Sequence, residues 1–184
     1  MNRSMIEDIT QLAAASASDP PPRAFVDPQK FSSWTNLLRV TGYVFRFMQN
    51  LKVRKRDRPP LLRLSSTELA GAREYWEKTA QTQGFPSVTE TAVSRQTLRN
   101  SSISQLNVAR DSRGLLRCDT RLDHSGLPPD AIRPILLPKN HHVTELIIRD
   151  AHAKVLHSGV AQTLARVRLR YWVIHGRNQV RRAV

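Results

Sequence analysis

His152-Ala-Lys-Val-Leu-His157-Ser-Gly-Val-Ala-Gln-Thr163-Leu-Ala-Arg-Val-Arg168-Leu-Arg-Tyr171-Trp172-Val-Ile-His-Gly176-Arg177 is the stretch on which the reading of the fold turns. Just before and into it, Val143, Leu146, Ile147, Ala151 and Val155 share one face at helical spacing, and Ser158-Gly159 breaks the helix beyond Leu156. A second helix is expected from Val160, with Leu164, Val167 and Tyr171 inward and Arg166, Arg168 and Arg170 outward. A third follows Gly176, with Val180 and Val184 on its apolar side. Three helices this short bury little surface, and domains of that size usually need a metal or a disulfide as a staple. His152 and His157 are separated by four residues, within the spacing common to paired zinc-ligating histidines. The same spacing also fits two polar residues at a helix end, where a protonated imidazole interacts well with the helix dipole.

The charge balance points the same stretch at a polyanion. With 29 Lys and Arg against 15 Asp and Glu, the chain carries a net +14, and clustered cations gain free energy by displacing counterions from phosphates. The excess is concentrated: residues 36–63 and 135–184 each carry +7, and the rest is close to neutral. The first block centres on Lys52-Val-Arg-Lys-Arg-Asp-Arg58 before Pro59-Pro60, which reads as a solvated linker or as a phosphate or import-receptor contact. One cysteine cannot close an internal disulfide, no apolar run reaches the ~20 residues that span a bilayer, and the Ala-rich run at 13–17 lacks the features of a signal peptide. Secreted disulfide scaffolds and membrane proteins are excluded, and an intracellular compartment is expected, either the nucleus or a cytoplasmic virus-like particle.

Upstream, residues 1–30 are polar and rich in Ala, Ser and Pro, and are expected to be disordered. Residues 31–100 read as a helical region. Trp34, Leu37, Leu38, Val44, Phe45, Phe47 and Met48 recur at spacings of three and four, as in a mostly buried helix capped by Ser32 or Ser33. Ser65-Ser-Thr-Glu68 is a capping box that opens a second helix running to Gln83 and stopped by Gly84. Tyr75 and Trp76 on it read as core, and Glu68, Glu74 and Glu77 as surface charges. Residues 86–105 read as a loop. Within residues 101–138, Leu106-Asn-Val108 and Leu115-Leu-Arg-Cys118 flank Asp111-Ser-Arg-Gly114 as a short hairpin, prolines keep the next stretch out of helix, and Ile135-Leu-Leu137 is a further strand. The fold class is therefore α+β, mostly α, and residues 139–184 form its small three-helix end.

The run His152-x4-His157-Ser-Gly-Val-x2-Thr163-Leu-x2-Val-Arg168-x2-Tyr171-Trp172-x3-Gly176-Arg177-x2-Val180-Arg181 resembles the zinc-binding His-His-Cys-Cys domain of retroelement integrases, in the form found in BEL/Pao-type retrotransposon polyproteins. Phe31-Ser-Ser-Trp34, Leu38-Arg-Val-Thr41, Gly114-Leu-Leu-Arg117 and Pro134-Ile-Leu-Leu-Pro138 extend the resemblance to the segment joining ribonuclease H to integrase. Asp119-Thr120 departs from it, standing where that family tends to have a glycine pair. The resemblance implies that His152 and His157 are metal ligands, forming half of a site whose Cys-x-x-Cys the family places just beyond Val184. The complete domain would hold zinc, and this chain would hold it weakly or not at all, because a closed site needs four ligands. Cys118 matches no ligand position and reads as structural. His175 could be recruited as a third ligand but reads rather as an exposed turn residue, and His141 and His142 lie too far along a helix to share the metal.

The resemblance further implies a non-catalytic polyprotein fragment that contributes DNA binding and multimerisation to integration. The three-carboxylate core would lie elsewhere, so no enzymatic activity is expected of this chain. Asp123-His124-Ser125 is too local to converge as a hydrolase triad, and no glycine loop cradles phosphate. Arg166, Arg168, Arg170, Arg177, Arg181 and Arg182 are the expected phosphate contacts, binding DNA nonspecifically, with no membrane and no small-molecule substrate. The alternative is a protein-interaction module without direct DNA binding, within an integrase multimer or in a domesticated element-derived protein.

Overall fold

Trp34, Leu37, Leu38 and Thr41 lie three and four apart, and in the computed structural model they form the buried side of helix α1, Trp34–Lys52. The structure describes residues 26–52, 63–86, 103, 106–120 and 125–184. Expectations for the first 25 residues, the basic run from 53 to 58, most of the 86–105 loop and Asp123-His124 fall outside these. A 3-10 turn, Pro28–Lys30, precedes Phe31, where structure was expected to begin. α1 is less buried than its spacing suggests. Phe47 is 60% exposed and forms an apolar stripe with Val40, Tyr43 and Leu51 on the outer side.

Helix α2, Ser66–Gly84, opens on the expected capping box: Ser65 Oγ accepts from Glu68 N at 3.2 Å, and Ser65 N donates to Glu68 Oε2 at 2.7 Å. The two helices are joined through Trp76, whose Nε1 donates to Thr41 Oγ1 at 2.8 Å, and through Arg46, whose Nε and Nη2 each reach the Glu68 carboxylate at 2.6 Å. Glu68 is therefore an internal anchor rather than a surface charge. Gly84 is not a left-handed cap: a Cβ there would lie 2.5 Å from Pro138 Cγ, so the glycine allows close approach of α2 to the strand that Pro138 follows.

Strands β1 (Val108–Arg110) and β2 (Leu116–Cys118) form the expected hairpin, with Val108 opposite Cys118. Asp111 shapes its turn by accepting from Arg113 N at 3.0 Å and Leu115 N at 2.9 Å, and Gly114 takes φ 83°. One short helix, α3 (Pro129–Ile132), interrupts the proline-rich stretch that was expected to exclude helix. Pro129 sits in its first turn, where a missing N–H costs nothing.

Strand β3 (Ile135–Leu137) pairs antiparallel with β2 on one side and parallel with β4 (Tyr171–Val173) on the other, giving the order β1-β2-β3-β4. Between β3 and β4 run helices α4 (His142–Lys154) and α5 (Gly159–Arg168), and α6 (Gly176–Ala183) follows. Tyr171 was expected on the second of these helices. The helix instead ends at Arg168, and the aromatic and β-branched run Tyr-Trp-Val pairs as a strand.

Alternation along the strands divides the apolar residues between two sheet faces. Ile135, Leu137, Tyr171 and Val173 face a cluster shared with Trp34, Leu37, Trp76, Leu146, Ile147 and Val180. Leu136, Leu116, Val108 and Cys118 face a smaller cluster with Phe85, Ile103 and Ile174. β2 and β3 share a single paired position, and buried Gln81 supplements it. Its Nε2 donates to Leu116 O and Leu136 O, and its Oε1 accepts from Leu116 N, all at 2.8 Å. Among the described residues, no helix is long and apolar enough to cross a membrane.

Candidate metal centre and nucleic-acid face

His152 lies in the last turn of α4 and His157 just beyond it, as their spacing implies. The helix ends in a tight reversal: His157 N donates to His152 O at 3.1 Å, and both Leu156 (φ 51°) and His157 (φ 60°) are left-handed. Left-handed backbone costs a non-glycine residue about 1–2 kcal/mol. Here it folds the His157 ring back onto His152, with centroids 4.6 Å apart and planes at 79°.

Thr163, fully buried on α5, fixes the first ring. Its Oγ1 donates to Gly159 O at 2.8 Å and lies 2.9 Å from His152 Nδ1. With the hydroxyl proton on the Gly159 carbonyl, a neutral imidazole donates from Nδ1 and keeps the Nε2 lone pair. Metal-bound histidines are usually held this way, by a partner on the nitrogen opposite the metal. That would leave His152 Nε2 available as a donor to a divalent metal. Thr163 belongs to the Thr-Leu pair of the motif, but its role depends on a contact eleven residues away that spacing does not reveal.

Among the described residues, no group of three His, Cys, Asp or Glu could hold a metal. Cys118 is buried in the smaller cluster, where burial pushes its thiol up to about 12, far from a ligating thiolate. His141 caps α4, accepting from Val143 N at 3.2 Å through Nδ1 and meeting Gln83 Oε1 at 2.8 Å through Nε2. Burial, and then His142, hold its pKa below the ordinary value. His142 Nε2 contacts Phe31 O at 2.9 Å. His175 is exposed at the head of α6 in a left-handed conformation, its carbonyl accepting from Asn178 N and Gln179 N.

Arg166, Arg168, Arg177 and Arg181 are exposed on α5 and α6. Arg182 is exposed too and donates to Asn140 Oδ1 at 2.8 Å. Arg170 lies in the turn before β4 and points inward: its Nη1 meets Asp130 Oδ2 at 2.5 Å, and its Nη2 lies 3.4 Å from Glu77 Oε1. Glu77, read from sequence as a surface charge, is 1% exposed and accepts from Tyr171 OH at 2.8 Å. Burial raises its pKa, opposed by Arg170 and Tyr171. The pairing continues from Asp130 through Arg117 to Asp111, linking α5–β4 to α3 and the hairpin. A sequence-local pattern could not show it, because its members lie up to 93 positions apart.

No curated protein and no solved structure matches the chain. Residues 139–184, which run from the start of α4 through α6 and carry the histidine pair, match the family described as the integrase zinc binding domain.

Proposed function

We propose that this chain is a non-catalytic part of a retroelement integrase polyprotein of BEL/Pao type, whose residues 139–184 contribute DNA binding and multimerisation to integration. The observation that carries this reading is the pairing of His152 and His157 inside the segment that matches an integrase zinc binding domain. His152 and His157 would hold the metal, which would clamp the end of α4 to the following turn. Its role would be structural.

On this reading residues 31–138 are the connecting region between ribonuclease H and integrase, and Arg166, Arg168, Arg177, Arg181 and Arg182 meet DNA phosphates. Arg170 is left out of that set, because Asp130 and Glu77 already neutralise it. Binding is nonspecific, and affinity falls steeply with salt. Reversing Arg166 and Arg181 to Glu is expected to abolish retardation of duplex DNA at low salt while leaving oligomer size unchanged. A wild-type chain that fails to retard duplex at low salt, or whose affinity is flat across a salt titration, contradicts the reading.

A second reading is a protein-interaction module, favoured by the exposed stripe Val40, Tyr43, Phe47 and Leu51 on α1. It predicts that the chain does not retard duplex DNA, and that replacing Phe47 and Leu51 by polar residues changes oligomer size while the arginine reversals do not.

A further inference from the structure

Between α5, β4 and the head of α6 lies an open cavity of about 360 Å³, at the small end of the range of ligand sites. Its wall combines Arg168, Trp172, His175, Arg177 and Asn178, and no carboxylate lines it. The Arg168 guanidinium sits 5.7 Å from the centre of the Trp172 ring. Among the described residues, neither Arg168 nor Arg177 has an acidic partner within ion-pair distance, unlike Arg170 close by. Trp172 alternates with Tyr171 and Val173, which turn into the larger core, so its own ring packs against the opposite cluster and is partly buried. A Cβ at Gly176 would come within 3.2 Å of Leu164 Cδ1, so a side chain here would require Leu164 to give by a few tenths of an ångström.

A partly buried indole beside a guanidinium, with a second guanidinium in the same cavity wall and no carboxylate lining it, is a combination that can receive a base and its phosphate. Every nucleobase offers a π-face, and arginine can both stack on it and pair with the adjoining phosphate. A duplex keeps its bases stacked inside and cannot offer that face. We propose that this cavity binds one unpaired nucleotide of a single-stranded nucleic acid, with the base against Trp172 and Arg168 and the phosphate at Arg177. The proposal rests on the DNA-binding reading above and adds to it a preference for frayed or single-stranded ends.

Trp172 provides its own probe. The chain has three tryptophans, and Trp34 and Trp76 are both buried, so quenching of emission by an added oligonucleotide reports on Trp172. The full chain is titrated at low salt with a ten-nucleotide oligo(dT) and with a blunt ten-base-pair duplex, following both fluorescence and gel retardation. The expected result is that oligo(dT) quenches emission and the duplex does not. Arg168→Ala weakens oligo(dT) binding by about tenfold, the scale of one stacked base, and duplex binding by less than about threefold, the scale of one lost phosphate contact. Trp172→Phe, which retains an aromatic ring for packing, removes the quenching and keeps the fold, as read by circular dichroism. If oligo(dT) causes no quenching, or Arg168→Ala weakens both ligands equally, the nucleotide site is overturned while DNA binding stands. If neither ligand is retarded, the DNA-binding reading falls with it.

Discussion

At the residue scale, the site depends on small geometric commitments. Thr163 uses one hydroxyl to hold the Gly159 carbonyl and the His152 ring together, and so selects which imidazole nitrogen stays open. Leu156 makes a different commitment: it is left-handed and 86% exposed, gaining little burial in return for the strained backbone. Asparagine adopts that conformation readily, so Leu156→Asn is expected to stabilise the chain by about 0.5–1 kcal/mol in urea denaturation. A loss of stability would show that Leu156 makes an energetically important contact. The histidine pair was legible in sequence because its spacing is local. Glu77 was not: helical spacing shows only that it lies on α2, and its burial depends on Arg170 and Tyr171 arriving from 93 and 94 positions away.

At the element scale, the helices and strands are held by side chains that stand in for missing backbone pairs. Gln81 satisfies three backbone groups of β2 and β3 where the strands share one paired position. Gln81→Leu keeps the volume but strands those groups, and is expected to cost about 2–4 kcal/mol in chemical denaturation. A cost below about 1 kcal/mol would mean that water replaces the amide. The Arg46–Glu68 pair joins α1 to the capping box of α2, and holds the Glu68 carboxyl down to about 2, from an ordinary value of 4.5. An acid whose folded pKa is depressed stabilises the fold above its unfolded value and loses that contribution as pH falls through the folded one. Stability is therefore expected to fall between about pH 4.5 and 2, and Glu68→Gln should flatten that limb of the pH profile. An unchanged acid limb would contradict the assignment. The capping box was readable because its two members are three residues apart. β4 was not, because three residues after a helix carry too little pattern to distinguish a strand from a further turn.

At the scale of the whole molecule, residues 139–184, too small to bury much surface alone, are also held by the rest of the chain. Val143, Leu146, Ile147 and Val180 pack in one cluster with Trp34, Leu37 and Trp76, and β4 pairs with β3. The helices of the histidine-bearing segment therefore rest on a core to which upstream residues contribute half of the buried side chains. Sequence patterns identified most of those helices but not their common core, which comes from contacts across more than a hundred positions. On this account the chain folds before any metal arrives, and the histidine pair is formed in advance. The most direct test is a set of nitrogen-15 correlation spectra of the histidine rings in the whole chain, recorded without metal and during zinc addition. The account predicts a single Nδ1–H tautomer for His152 without metal, followed by joint shifts of the His152 and His157 rings as zinc is added, with no gain in helical content. A His152 ring averaging between tautomers, or a chain that gains its helices only on adding one equivalent of zinc, would contradict it.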